Sequence, residues 1–271
     1  MSEKIKVQLG NVQKTLLLPL WGRAKETKKR DPLLVDKTAV EVMEKLDFDF
    51  STISKGISPI SQYAWIMRSR TTDRVINEFL RKHPTGTIVN IGCGLDTTFD
   101  RVDNGSLRWY DLDLPDVINL RRQFIPETKR RTYIISSFLE PEWLNEISVT
   151  DSVLFVSAGV FYYFQEPEIK TFLTHLADKF PGSEILFDAA SAFGVKTANQ
   201  MVIKSSGLDE KSFLVWGLER SEDVEKWDSR FKVLETLYFF RDNRKLLPLN
   251  VWLVGVFSDS RRIQYMVHLQ M

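Results

Sequence analysis

The chain has 271 residues, 43% of them hydrophobic and 27% charged, which is apolar content enough for a sizeable core in one soluble globular unit. Its formal net charge of +1 excludes a global field drawing it to nucleic acid or to an acidic membrane. One cysteine excludes an intramolecular disulfide and a multi-cysteine metal site.

The first residues, MSEKIKVQLG, carry charge and no apolar block of signal-peptide length. The apolar stretch Leu16 to Trp21 is far short of the roughly 20 residues that cross a bilayer, so a cytoplasmic protein with no membrane partner is expected. Residues 1–85 read as helical. Asp36 to Leu46 places Ala39, Val40, Met43 and Leu46 at helical spacing. Gln62 to Lys82 predicts a longer helix, stopped before Pro84 and Gly86. The pattern then changes. Strands are predicted at Thr87–Ile91, Leu107–Asp113, Tyr133–Ser136, Ser152–Ser157 and Glu184–Asp188. Helices are predicted at Pro115–Phe124, at Glu168–Phe180 and after Gly194. This alternation, running to about residue 205, points to a mostly parallel sheet with helices on both faces. Lys232–Phe240 and Arg262–Gln270 read as two further strands around a helical or irregular piece, Pro248–Phe257. An antiparallel edge pair follows from these, completing a seven-stranded sheet with one reversed strand.

The chemical signal is Ile88-Val89-Asn90-Ile91-Gly92-Cys93-Gly94-Leu95-Asp96, an apolar strand running into Gly-x-Gly. The first glycine permits a tight turn, and the second lets the backbone approach a ligand with no Cβ between them. An acidic residue ending the next strand would take ribose hydroxyls. Asp113, 19 residues after Gly94 and closed by Leu-Pro, is preferred for this, with Asp111 as the competitor. Dinucleotide sites prefer a third glycine, and Thr97 stands in that place. The departure counts against NAD and is harmless for S-adenosylmethionine, which has no pyrophosphate.

Val89 to Phe99 resembles the glycine-rich loop of the leucine carboxyl methyltransferase family, which includes the polyketide-synthesis O-methyltransferases. Tyr110 to Val117 resembles the family's acidic segment, and Gly159-Val160-Phe161-Tyr162-Tyr163-Phe164 its Tyr-containing turn. The resemblance covers roughly residues 15–205. It implies an α/β, doubly wound, mostly parallel Rossmann-like methyltransferase sheet with an N-terminal helical cap. The expected organisation is one domain over 1–271, with the cap at 1–85 and the cofactor-binding core at 86–271.

The implied activity is O-methyl transfer from S-adenosylmethionine to a carboxylate or hydroxyl of a small molecule, with S-adenosylhomocysteine as product and no metal. Gly92, Gly94 and Asp96 would form the cofactor loop, and Asp113 and Leu114 the ribose site. Arg68 would pair with the cofactor carboxylate, with Arg70 the alternative. Ser137 and Phe138 match the family's adenine-side Asp-Leu pair, serine standing where the family has aspartate. Ala158 and Gly159 follow Ser157 where the family usually has Ala-Glu-Gly, so a carboxylate expected to face the cofactor is missing. Trp21, Arg23 and Lys37 fall where relatives contact substrate or cofactor. Tyr163 is the candidate catalytic residue, orienting the substrate. His83, His175 and His268 read as structural. With no base near the loop, a carboxylate acceptor, already ionised, or a catalyst acting by proximity alone is favoured. The rival readings are a protein that binds the cofactor with little or no transfer, and an NAD-dependent oxidoreductase.

Overall fold

The computed structural model describes residues 4–7, 9–10, 12–204 and 210–271, with the side chains of residues 52–54 left aside. The expected cap and core also run over residues 1–3, 8, 11 and 205–209, which lie outside the described residues. The N-terminal part holds helices α1 (Leu17–Thr27), α2 (Lys37–Lys45), α3 (Ser51–Gly56) and α4 (Pro59–Lys82). Asp36 caps α2 by accepting the Ala39 N–H at 2.9 Å. Helix α4 begins three residues before the predicted start. There Ser58 accepts the Ser61 N–H, and Pro59 sits in the first turn, where its missing donor costs nothing. The wholly helical reading of this part needs one correction. Strands β1 (Ile5–Lys6) and β2 (Leu46–Asp47) form a parallel ribbon, too short to leave an alternating pattern in the sequence.

The core sheet contains β3 (Thr87–Ile91), β4 (Arg108–Asp113), β5 (Arg131–Ile135), β6 (Val153–Ser157), β7 (Glu184–Ala189), β8 (Lys232–Tyr238) and β9 (Tyr265–Gln270). Its order is β5-β4-β3-β6-β7-β9-β8, and β9 runs antiparallel to both neighbours. It is the one reversed strand that the sequence leads one to expect. Around the sheet lie α5 (Thr98–Val102), α6 (Pro115–Arg121), α7 (Glu166–Lys179), α8 (Ala192–Ala198) and α9 (Leu249–Ser260). The piece expected to be helical or irregular is thus a helix, α9. Among the described residues, no helix is long and apolar enough to cross a membrane.

Burial on both faces explains the uninterrupted apolar strands. Val89, Ile91, Phe155 and Phe187 pack with Phe172 and Leu176 of α7 on one face. Ile88, Leu154, Val156 and Leu186 pack with Ile66, Ile76 and Phe79 of α4 on the other. The chain leaves β3 toward β4 on one side and returns to β6 on the other. The carboxyl ends of β3 and β6 therefore open a crevice at the point where strand order reverses. Because β9 is reversed, its amino end reaches the same edge.

Candidate active site

The glycine turn leaves β3 in a left-handed conformation, with φ +61° at Gly92 and +48° at Gly94. A Cβ on Gly92 would lie 2.4 Å from Val160 Cγ2, so the turn and the loop after β6 touch backbone to side chain. Gly92→Ala combines a left-handed penalty of about 1–2 kcal/mol with an overpacking cost of about 1–3 kcal/mol. It is therefore expected to lower unfolding stability by about 2–5 kcal/mol in a urea titration. Gly105→Ala is the control, since its φ is +83° but nothing lies within 4 Å of the added Cβ. It is expected to lose only the backbone part, about 1–2 kcal/mol.

Three successive carbonyls of the loop are held by buried guanidinium groups. Arg121 of α6 donates to Gly94 O at 3.0 Å and Asp96 O at 2.6 Å. Arg23 of α1 donates to Leu95 O at 2.9 Å and to Asp36 Oδ2 at 2.8 Å. Asp36 in turn receives Arg101 at 3.0 Å and the Thr97 hydroxyl. The cap and the loop are thus joined through one carboxylate. Neither Arg121 nor this junction was anticipated from the sequence, because neither belongs to a motif with fixed spacing. The helix after the loop, α5, has only five residues, and Asp96 Oδ2 already accepts its first N–H, that of Thr98, at 2.9 Å. The loop itself, more than a helix dipole, shapes this end of the site. Burial opposes ionisation of Asp96, but Arg23, Arg101 and the Thr98 N–H outweigh it and bring its pKa to about 2.

The two candidate aspartates of β4 separate cleanly. Asp111 pairs with Asn90 of β3 in register and is fully buried. It accepts from Asn90 at 3.0 Å and Trp109 at 2.8 Å, and pairs with Arg121 at 2.8 Å. It is a structural anchor. Asp113 lies beyond the last β3 pairing, borders the crevice, and accepts the Gly94 N–H at 2.7 Å and the Leu114 N–H at 2.8 Å. Burial pushes its pKa up to about 6, against the lowering effect of those two N–H groups and Arg121.

On the β6 side, Arg68 Nη1 donates to Asp188 Oδ2 at 2.7 Å. Asp188, at the end of β7, is fully buried, and its Oδ1 accepts the Gly159 N–H at 2.7 Å. Gly159 has φ +84°, and a Cβ there would sit 3.0 Å from Arg68 Nη1, so glycine leaves room for the guanidinium. Arg70 turns the other way and donates to Leu33 O. A carboxylate thus sits beside Ala158–Gly159 after all, supplied by β7.

The crevice encloses a cavity of about 530 Å³. Arg68, Gly92, Gly94, Asp96, Asp113 and Leu114 border it. So do Ser137, Phe138, Ala158, Gly159 and Tyr163. Phe138 is largely core, edge-on to Phe164 and Phe172. The Tyr163 hydroxyl donates to Thr15 Oγ1 at 3.2 Å, tying the turn after β6 to the segment before α1. Burial raises its pKa, which makes it a donor and not a base. Arg23 also borders the cavity, as does Trp65 of α4, whereas Trp21 and Lys37 do not. Among the described residues no histidine borders it. His83 faces Asp151 at 3.0 Å and His268 faces Glu184 at 2.7 Å. Burial raises the Cys93 thiol pKa well above its usual value, which leaves it an inert small residue in the loop. Gln264 was missed. It precedes β9, far from the motifs, and its Nε2 lies 3.2 Å from both Tyr162 Oη and Asp188 Oδ2.

The profile of the leucine carboxyl methyltransferase family matches residues 17–177. The chain is 28% identical over 221 residues to the tetracenomycin polyketide synthesis O-methyltransferase TcmP of Streptomyces glaucescens, covering 81% of this chain and 80% of that one. It is also 28% identical over 272 residues to the S-adenosyl-L-methionine-dependent methyltransferase dpfgK of Gibberella zeae, covering 93% and 90%. A DUF574 family protein from Streptomyces avermitilis shares the fold, with a TM-score of 0.60 at 13% identity over 92% of this chain and 96% of that one.

Proposed function

Since the chain belongs to the leucine carboxyl methyltransferase family, and is an S-adenosylmethionine-dependent methyltransferase, we propose that it methylates an oxygen of an apolar small molecule, polyketide-like in character. One observation carries the residue assignment: a cation and a carboxylate flank a single glycine turn, Arg68 on its β6 side and Asp113 on its β4 side. That donor set fits the two polar ends of S-adenosylmethionine. Arg68 would take its carboxylate and Asp113 its ribose hydroxyls, while Gly92 and Gly94 keep side chains out of the way. Ser137 offers a hydroxyl on the adenine side and Phe138 an apolar edge. Bound there, the cofactor supplies an electrophilic methyl group on a sulfonium. The protein's part is positioning and exclusion of water. Tyr163, through Thr15, holds the segment before α1 against the site. The loop carbonyls are held by Arg23 and Arg121.

Calorimetric titration with S-adenosylmethionine, S-adenosylhomocysteine and NAD tests this reading. Micromolar binding of both sulfur ligands, with none of NAD, is expected. Heat from NAD alone would sink it. The raised Asp113 pKa adds a pH signature. Ribose hydroxyls donate to the ionised carboxylate, so binding is strongest above pH 6, the point to which burial lifts this group. Below that pH, binding must displace a proton, and the affinity is expected to fall up to about tenfold per pH unit. The empty protein behaves oppositely. An acid whose pKa is higher folded than unfolded favours the folded state more as pH drops from 6 toward 3.8. Binding isotherms and melting curves at pH 5, 6 and 8 would show the two trends crossing.

A further inference from the structure

Ala198, Met201, Leu214, Val254, Phe257 and Ile263 also wall the cavity, with Met201, Val254 and Phe257 exposed. Among the described residues no lysine borders the cavity, and the cations that do are Arg23 and Arg68. Arg23 is spent on Asp36 and Leu95 O, with Nη1 4.0 Å from Asp96. Arg68 is held by Asp188 and, on the reading above, meets the cofactor carboxylate. An acceptor carboxylate would therefore enter an apolar pocket with no cation left to receive it.

Polar side chains also border the cavity, Thr197, Ser258 and Gln264 among them, and Gln264 is the one that meets Asp188. Asp188 is an ionised partner of Arg68 and can only accept, so the Gln264 amide must turn its NH₂ toward it. The same NH₂ donates to Tyr162 Oη. That leaves the Oε1 of Gln264, a half-buried residue that borders the cavity, and this oxygen accepts no hydrogen bond among the described residues. An oxygen lone pair at this place attracts an O–H and repels a carboxylate.

We infer that the acceptor presents a neutral hydroxyl on an apolar ring system, and that Gln264 selects it through Oε1, in preference to the carboxylate that the absence of a base suggests from sequence. This rests on the methyltransferase reading above. Transfer to such an acceptor forms an O–C bond as the C–S bond breaks, leaves the electron pair on sulfur, and sheds the hydroxyl proton to solvent.

The test is titration of protein saturated with S-adenosylhomocysteine by two probes of matched shape, 2-naphthol and 2-naphthoate. At least tenfold tighter binding of 2-naphthol is expected, together with formation of its methyl ether when S-adenosylmethionine is supplied. Gln264→Met, which keeps the volume and removes the oxygen, is expected to narrow that preference to within about twofold. Tighter binding of 2-naphthoate, binding of neither probe, or a preference unchanged in Gln264→Met would overturn the inference. Saturation with S-adenosylhomocysteine is scored separately in the same cell. Its failure would count against the cofactor reading and not against the choice of acceptor.

Discussion

Asp113→Asn is expected to weaken S-adenosylhomocysteine binding about 100-fold while leaving the fold intact. Hydrogen bonds to a charged group are each worth about 1.5–3 kcal/mol, and two ribose hydroxyls would lose that charge together. A loss of about 3 kcal/mol is roughly a 100-fold change in Kd. The amide oxygen of Asn can still accept from Gly94 N–H or Leu114 N–H, the two bonds that hold Asp113 at the cavity edge. Removing a carboxylate that burial already disfavours relieves the empty protein, so its melting temperature is not expected to fall. Asp111→Asn is the informative comparison. It leaves Arg121 buried without its counter-charge, and should lower stability first and binding only as a consequence. If calorimetry found Asp113→Asn within threefold of wild type, the ribose assignment would fail.

Asp188→Ala is expected to cost about 3–5 kcal/mol of stability, the usual cost of breaking a buried ion pair from one side. Three donors lose their acceptor at once: Arg68 Nη1, Gly159 N–H and Gln264 Nε2. For a chain of this size that corresponds to a fall of roughly 10 °C in melting temperature. Removing both charges separates the structural role from the functional one. Arg68→Met with Asp188→Leu leaves no unpaired ion, so most of the stability should return. Cofactor affinity should not return, since the guanidinium is gone. A double variant that is stable and still binds S-adenosylhomocysteine at wild-type strength would remove Arg68 from the site. Thermal melts and calorimetry on the same preparations read both arms.

Much of this protein was legible in the chain because it depends on local pattern. The apolar runs Thr87–Ile91 and Val153–Ser157, closed by turn residues, are strands buried on both faces, and each has the boundaries of its run to within a residue. The Gly92–Gly94 turn could be read because positive φ is a property of the residue type itself. The choice between like residues two positions apart had only thin local support, the Leu-Pro after Asp113 among it. Asp111 and Asp113 share one strand face, since side chains alternate with a period of two. What divides them is that β3 pairs with one and ends before the other. Arg68 and Arg70 lie about 200° apart around α4 at 3.6 residues per turn, and only packing tells which face looks into the crevice. The arginines that hold the loop, Arg23 and Arg121, reach it across 72 and 27 residues of chain. Gln264 is the extreme case. Nothing near it in sequence marks it, and it comes to the cavity because β9 runs against its neighbours and so delivers its first residues to the edge where the other strands end. Local pattern determined the elements and the left-handed glycine turn after β3. Strand direction and long-range packing decided which side chains that turn would meet.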